Sequence, residues 1–224
     1  MVKLCIFDMD GLLIDSERYM WTVSMDIAAK EQGYILTDEF HRTFMGRNLK
    51  SVGEMLTNEF GKEFDYDHFL ATCRKENARI MKNGLPLMKG ARELLDFLKE
   101  NNIYRCIGTT TYYNETISLL TANNMLDDFN DMVCGDQVIN GKPDPEIYLK
   151  CLSKFKDVDK SEALVFEDGN SGAHAGIDSG MRLVLVPDLA YLDEEVRSKA
   201  FAVLSDLSET IDIIKRENEG TTSI

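Results

Sequence analysis

A short apolar run, Leu4-Cys5-Ile6-Phe7, stops abruptly on two carboxylates, Asp8 and Asp10, with Gly11 directly after them. An unbroken apolar run of this length reads as a strand buried on both faces of a parallel sheet. Asp8 and Asp10 then stand at its carboxyl end, where open α/β sheets place their ligand sites. Residues i and i+2 of a strand point the same way. Two like charges that close are costly unless a cation or a shared proton separates them. Gly11 lets the backbone turn sharply beside them. The segment therefore predicts a metal and chemistry. A calcium loop does not fit, because its glycine belongs at the sixth position and its glutamate at the twelfth. Counted from Asp8, glycine is fourth here and the twelfth residue is Tyr19. A strand that ends in a polar turn would explain the pair by itself, so the later motifs decide.

The totals narrow the class. A chain of 224 residues, 44% hydrophobic, suffices for one large domain or for a core domain with an insert. A net charge of −14 argues against nucleic acid as a partner. Local lysines and arginines can still build an anion site. The five cysteines are scattered, odd in number and without a CxxC pair. Cys5 and Cys106 lie in apolar runs and read as buried free thiols, which suits a reducing compartment and a cytoplasmic location. Asp8, Asp10 and Asp15 interrupt the first apolar stretch, so it does not read as a signal peptide. No run approaches a membrane span, and no membrane partner is expected. A monomer is the default expectation.

After the first strand, Ser16-Glu17 opens a helical pattern to about Lys30, with Gly33 as its stop. Helical patterns continue over 38–44, 49–60 and 66–81, without a strand, until Gly84-Leu85-Pro86 breaks them. Residues 16–84 are thus expected to form an all-helical insert, with 1–15 and 85–224 as the core domain. From Lys89 strands and helices alternate. Ala91, Leu94, Leu95 and Leu98 mark one helix face, and 114–123 a second helix. Strands are expected at 104–108, 132–134, 163–166 and 183–186, with an edge strand at 201–204. Asp144 and Pro145 suit the N-cap and first position of a helix. A small-residue helix over 171–179 should end at Gly180. The alternation predicts an α/β fold, a Rossmann-like parallel sheet with helices on both faces.

Polar residues collect at separate strand ends: Asp8 and Asp10, then Thr109 with Thr110 behind it, then Glu167 and Asp168. Lys142 precedes a helix. Taken singly, Lys142 reads as a solvated lysine, Thr109 as a core hydroxyl and the Glu167-Asp168 pair as helix capping. Together they suit a magnesium-dependent site for a phosphate group, with carboxylates for the hard cation and a lysine and hydroxyl for the phosphoryl oxygens.

The chain resembles the haloacid dehalogenase superfamily, in the subgroup with a helical cap inserted after the first strand. Asp8-x-Asp10-Gly-x-x-x-Asp15-Ser16-Glu17 resembles its first motif in the phosphatase form, and Thr109 the second. Lys142-Pro143-Asp144-Pro145 resembles the third, and Val165-Phe166-Glu167-Asp168 the fourth. The resemblance implies that Asp8 is the nucleophile, forming an aspartyl-phosphate, and that Asp10 is the general acid and then base. It implies that Thr109 and Lys142 hold the transferring group. Mg²⁺ would sit on Asp8, the backbone carbonyl of Asp10 and Asp168, with Glu167 direct or one shell out. Gly169 replaces the usual serine of the fourth motif, which puts one supporting hydrogen bond in question.

The same resemblance puts Met45-Gly46-Arg47-Asn48 in the substrate loop of the cap, with Arg47 and Lys75 as substrate contacts beside Thr110. His41, His68 and His174 lack metal-ligand spacing and read as surface or packing residues. The expected activity is hydrolysis of a small phosphorylated metabolite, a sugar phosphate by preference. A β-phosphoglucomutase-like activity is the alternative, but those enzymes usually carry a histidine where this chain has Met20. Asp10 argues against the dehalogenases, and no cap lysine is assigned to phosphonatase chemistry. A receiver-type signalling domain would be shorter and phosphorylated on its third strand. A catalytically silent phospho-ligand-binding protein would lack essential groups that are present here. If Arg47 meets a distal anionic or hydroxylated group, Arg47→Ala should raise KM for the true substrate about tenfold, the scale of one lost charge-assisted hydrogen bond. KM for a small aryl phosphate should move little, and steady-state kinetics on both substrates checks this.

Overall fold

The computed structural model describes residues 1–16, 18–44, 49–188 and 191–220. The chain divides into two compact units, one of Met1–Asp15 with Pro86–Ile224 and one of Ser16–Leu85.

The first unit is built on a six-stranded sheet. Its strands are β1 (Leu4–Phe7), β2 (Tyr104–Gly108), β3 (Asp131–Val133), β4 (Ala163–Glu167), β5 (Arg182–Leu185) and β6 (Ala202–Val203). Their spatial order is β3-β2-β1-β4-β5-β6, and every pairing is parallel. The chain builds outward from β1 on one side and then on the other. Reversal at β1 opens a crevice at the carboxyl ends of the central strands. All four residues of β1 are fully buried. Leu4 and Ile6 face one core with Cys106, Ala163, Val165, Ile147 and Tyr148. Phe7 points the other way, stacking on Phe166 at 4.6 Å with Phe129 edge-on at 6.3 Å.

The second unit is helical. Its helices are α1 (Ser24–Glu31), α2 (Asp38–Phe44), α3 (Leu49–Phe60) and α4 (Tyr66–Asn83). The expected single helix from Ser16 is instead a π-helical segment, Arg18–Val23, running into α1. Its i→i+5 bonding absorbs an extra residue within the helical path. This unit has its own apolar core of Met25, Ala28, Leu36, Val52, Leu56, Phe64 and Phe69 among others. Phe64 touches Tyr34, Phe60 and Phe69 at ring separations of 5.5, 5.5 and 5.4 Å. Asp65 caps α4 by accepting from the His68 amide at 2.9 Å. His41 is buried against Asp26 at 2.7 Å, a packing role.

The remaining helices belong to the first unit: α5 (Ala91–Glu100), α6 (Tyr113–Ala122), α7 (Glu146–Ser153), α8 (Asn170–Ser179), α9 (Glu194–Lys199) and α10 (Thr210–Glu219). Helix α5 buries Ala91, Leu94, Leu95 and Leu98, the face that the spacing picks out. Helix α8 ends on Gly180 at φ 74°, the left-handed C-terminal stop that glycine favours. Helix α7 begins one residue later than expected, at Glu146. Pro145 takes the N-cap position expected of Asp144, and Asp144, one residue before it, accepts from the Glu146 amide through Oδ1 at 2.9 Å. All five cysteines are buried and unpaired. Among the described residues no helix is long and apolar enough to cross a membrane.

The chain leaves and re-enters the first unit side by side. The Asp15 amide donates to the Pro86 carbonyl and the Met88 amide to the Leu13 carbonyl, each at 2.9 Å, around an antiparallel bridge between Ile14 and Leu87. The separate helical core makes a local prediction. Phe64→Ala should cost about 3–5 kcal/mol, and hydrogen exchange should quicken in residues 16–85 while the amides of β1 and β4 keep their protection.

Candidate active site

Asp8 is the first residue past β1, and its amide continues the ladder to the Phe166 carbonyl at 3.1 Å. Its side chain is nearly buried. Lys142 reaches it from the turn before α7. The ammonium donates to Asp8 Oδ1 at 2.5 Å and to Glu167 Oε1 at 2.7 Å. Only 6% of the Lys142 side chain is exposed, so this is an interior ion pair. Glu167 is the last residue of β4. Its Oε1 also accepts from the hydroxyl of the buried Tyr148 on α7. The Lys142 ammonium lies 5.0 Å from the centre of the Tyr148 ring, a cation–π contact.

Gly172, in the first turn of α8, makes room for Glu167. A Cβ there would fall 1.8 Å from Glu167 Oε1. A negative charge beside the start of a helix is also favoured by the helix dipole. Gly169 is the N-cap of α8 and provides no side-chain cap, yet a Cβ on it would meet nothing within 4 Å. The serine missing from the fourth motif therefore removes a helix cap and leaves the Glu167 contacts intact.

Asp10 sits in a different setting. It is half-buried and directly precedes the turn that Gly11 makes at φ 78°. Thr111 Oγ1 donates to Asp10 Oδ2 at 2.6 Å, and Thr109 Oγ1 lies 3.5 Å from the same oxygen. The Thr109 hydroxyl accepts from the Thr111 amide at 3.1 Å, and its own proton is directed at Asp10 Oδ2 over the longer distance. Thr109 extends the ladder from β2 to the Val133 carbonyl at 3.1 Å. Gly135 supports this loop from the end of β3. Its amide donates to the Thr111 carbonyl at 3.0 Å, and a Cβ on it would strike the Thr110 carbonyl oxygen at 2.0 Å.

Asp8, Glu167 and Asp168 each offer a carboxylate oxygen within 4.8 Å of the others, and all three are buried. Burial pushes Asp8 up to about 7, helped by Glu167 and Asp10 and opposed by Lys142. Burial works against the Lys142 ammonium, but Asp8 and Glu167 outweigh it and raise its pKa, so it stays charged. Burial first, and then Glu167, keeps the Tyr148 phenol protonated far above neutrality. Three buried carboxylates carry more charge than one ammonium neutralises, and an all-oxygen set suits a hard divalent cation. The residues present thus fit Mg²⁺.

The structure brings together Asp8, Lys142, Glu167 and Asp168, and separately Asp10 with Thr109. Thr110 is exposed on the same loop, and Lys75 is exposed on α4 of the helical unit. Arg47, with its loop Met45–Asn48, lies outside the described residues. Sequence reasoning missed Thr111 and Tyr148. The signal for Thr111 was its spacing from Thr109, since alternate residues leaving a strand share a side. For Tyr148 it was a phenol on an apolar helix face, which needs a polar partner once buried.

Residues 5–186 match the family model for haloacid dehalogenase-like hydrolases. A Drosophila melanogaster protein named "Probable pseudouridine-5'-phosphatase" is 33% identical over 214 residues, 93% of this chain and 91% of its own. A Thermotoga maritima "Phosphorylated carbohydrates phosphatase" is 33% identical over 183 residues, 82% of this chain and 84% of its own. A Thermotoga maritima crystal structure with the provisional name beta-phosphoglucomutase superposes with a TM-score of 0.81 at 30% identity, covering 96% of this chain and 99% of its own. The chain belongs to the haloacid dehalogenase-like hydrolase family.

The raised Asp8 carboxyl carries a pH consequence. A carboxyl whose pKa is higher folded than unfolded favours the fold while protonated, and that contribution is lost as pH rises through the folded value. Without metal, Asp8→Asn should therefore gain Tm over wild type by several degrees between about pH 5 and about pH 8. A divalent cation reverses the local charge balance. Millimolar Mg²⁺ should close the gap by stabilising wild type, as melting curves with Mg²⁺ or chelator would show.

Proposed function

We propose that this protein is a Mg²⁺-dependent phosphatase that hydrolyses a small phosphorylated metabolite, a sugar phosphate by preference, through an aspartyl-phosphate on Asp8. The observation that carries this reading is the contrast between two carboxylates two residues apart. Asp8 is buried among acids and bound to an ammonium, whereas Asp10 is half-buried and bound to hydroxyls. Environments that differ in this way assign different roles to like groups. The names of the two relatives, one acting on phosphorylated carbohydrates and one on pseudouridine 5'-phosphate, support the substrate class.

Lys142 holds Oδ1 of Asp8, and Oδ2 attacks phosphorus in line. The bond from phosphorus to the leaving oxygen breaks as that oxygen takes the proton of Asp10. Asp10, now a carboxylate, accepts a proton from water as the water attacks the phosphoenzyme, which frees phosphate and restores Asp8. Thr109, its lone pair engaged by the Thr111 amide, donates its proton to a phosphoryl oxygen. Lys142 neutralises charge there too. Asp8, Asp168 and the Asp10 carbonyl, with Glu167 alongside, would hold Mg²⁺, which supplies Lewis-acid charge to the transferring group. Thr110, Arg47 and Lys75 are the proposed substrate contacts.

Phosphate release from a panel of phosphorylated metabolites, with Mg²⁺ or chelator, tests the reading. Release should require metal, and Asp8→Asn should lower it by at least about 10³-fold while keeping the fold. Near-normal turnover by that variant sinks the nucleophile assignment. The panel includes β-glucose 1-phosphate. Free phosphate is the expected product, and glucose 6-phosphate in its place would turn the reading to a mutase. Silence across the panel would favour a binding role.

A further inference from the structure

Thr111 is the one hydroxyl with a short bond to the proposed acid–base carboxylate among the contacts described, and nothing in the mechanism above uses it. We propose that Thr111 is a positioning residue for Asp10: its hydroxyl clamps Oδ2 and so presents Oδ1 to the leaving group. The proposal rests on the reading of Asp10 as the acid and goes a step beyond it.

Three observations support the clamp. The bond from Thr111 Oγ1 to Asp10 Oδ2 is 2.6 Å, against 3.5 Å for Thr109 Oγ1 to the same atom. Thr111 is therefore the stronger donor, at the length of a charge-assisted hydroxyl–carboxylate bond. Its backbone is held at both ends, the amide by Thr109 Oγ1 at 3.1 Å and the carbonyl by the Gly135 amide at 3.0 Å. A threonine so anchored has few rotamers left, because its β-branch already restricts χ1. The donor is thus set in place by two neighbouring strand ends before any substrate arrives.

The chemistry that follows is specific. A carboxylate has two oxygens, and a general acid is useful only when the protonated one meets the leaving group. With Oδ2 held by Thr111, rotation of the carboxyl group is limited. The clamp holds the group in one orientation for both half-reactions: Oδ1 gives its proton to the leaving oxygen, then takes one from the attacking water.

The test is a linear free-energy series. kcat/KM is measured for phosphate monoesters whose leaving groups run from simple alcohols to nitrophenols, with wild type, Thr111→Val, Thr111→Ser and Asp10→Asn. In a phosphoenzyme mechanism kcat/KM reports the steps up to departure of the first leaving group. Poor leaving groups need the proton and good ones do not. Thr111→Val should lower kcat/KM on alkyl esters by about 10- to 100-fold, within the range of acid catalysis, and on nitrophenyl esters by less than about 3-fold. Thr111→Ser, which keeps the donor, should recover most of the loss. An equal loss along the whole series, or no loss, overturns the proposal, as does a serine variant no better than valine. Asp10→Asn separates the two levels. A steep leaving-group dependence in that variant with a flat one in Thr111→Val sinks the clamp alone. A flat dependence in Asp10→Asn sinks the acid reading and the clamp with it.

Discussion

The Lys142 ammonium between Asp8 and Glu167 is the contact on which the site depends. It joins the ends of β1 and β4 to the turn before α7, so three separated stretches of chain must arrive together. Each partner is buried, and each alone would be a costly interior charge. Removing the ammonium would typically cost about 3–5 kcal/mol, because two buried carboxylates are left uncompensated, whereas loss of the Asp8 charge alone leaves Lys142 paired with Glu167. The surroundings complete the compensation. Tyr148 donates to the shared oxygen of Glu167, and the missing side chain of Gly172 gives that carboxylate its space. The crevice is therefore stable only as a set, and a set that stays net negative favours a cation.

Much of this was legible in the chain. The apolar run of β1, the strand that ends on Glu167 and the Lys-Pro-Asp-Pro turn each carry a strong local signal. A parallel sheet gathers its strand ends by topology. The expected strands at 4–7 and 104–108 match β1 and β2, and the others differ from the observed ones by one residue at one or both ends, where hydrogen bonding and not pattern sets the limit. The π-helical start at Arg18–Val23 has the same apolar residues as an α-helix and no distinct spacing, so pattern could not reveal it.

What escaped were the groups whose role depends on direction. Thr109, Thr110 and Thr111 are one residue type in a row, and only the fold divides them into a hydroxyl bonded through its lone pair, an exposed side chain and a clamp on Asp10. Tyr148 has the spacing of a core aromatic, and it is one, with its hydroxyl alone reaching the acidic cluster. In both cases the hydrogen bond joins residues remote in sequence, so spacing could give the side of the chain and could not name the partner.

The splice of the helical unit has a consequence of another kind. Asp15 and Pro86 are hydrogen-bonded neighbours, so the chain departs and returns at nearly one point. Whatever is inserted there has its ends already closed, and a change of insert length adds little to the closure entropy. The two ladder bonds and the Ile14–Leu87 bridge belong wholly to the sheet unit. That unit thus offers a socket: an evolving or designed lineage could exchange the helical cassette for another, or for a short turn, and leave the phosphate chemistry on the sheet untouched.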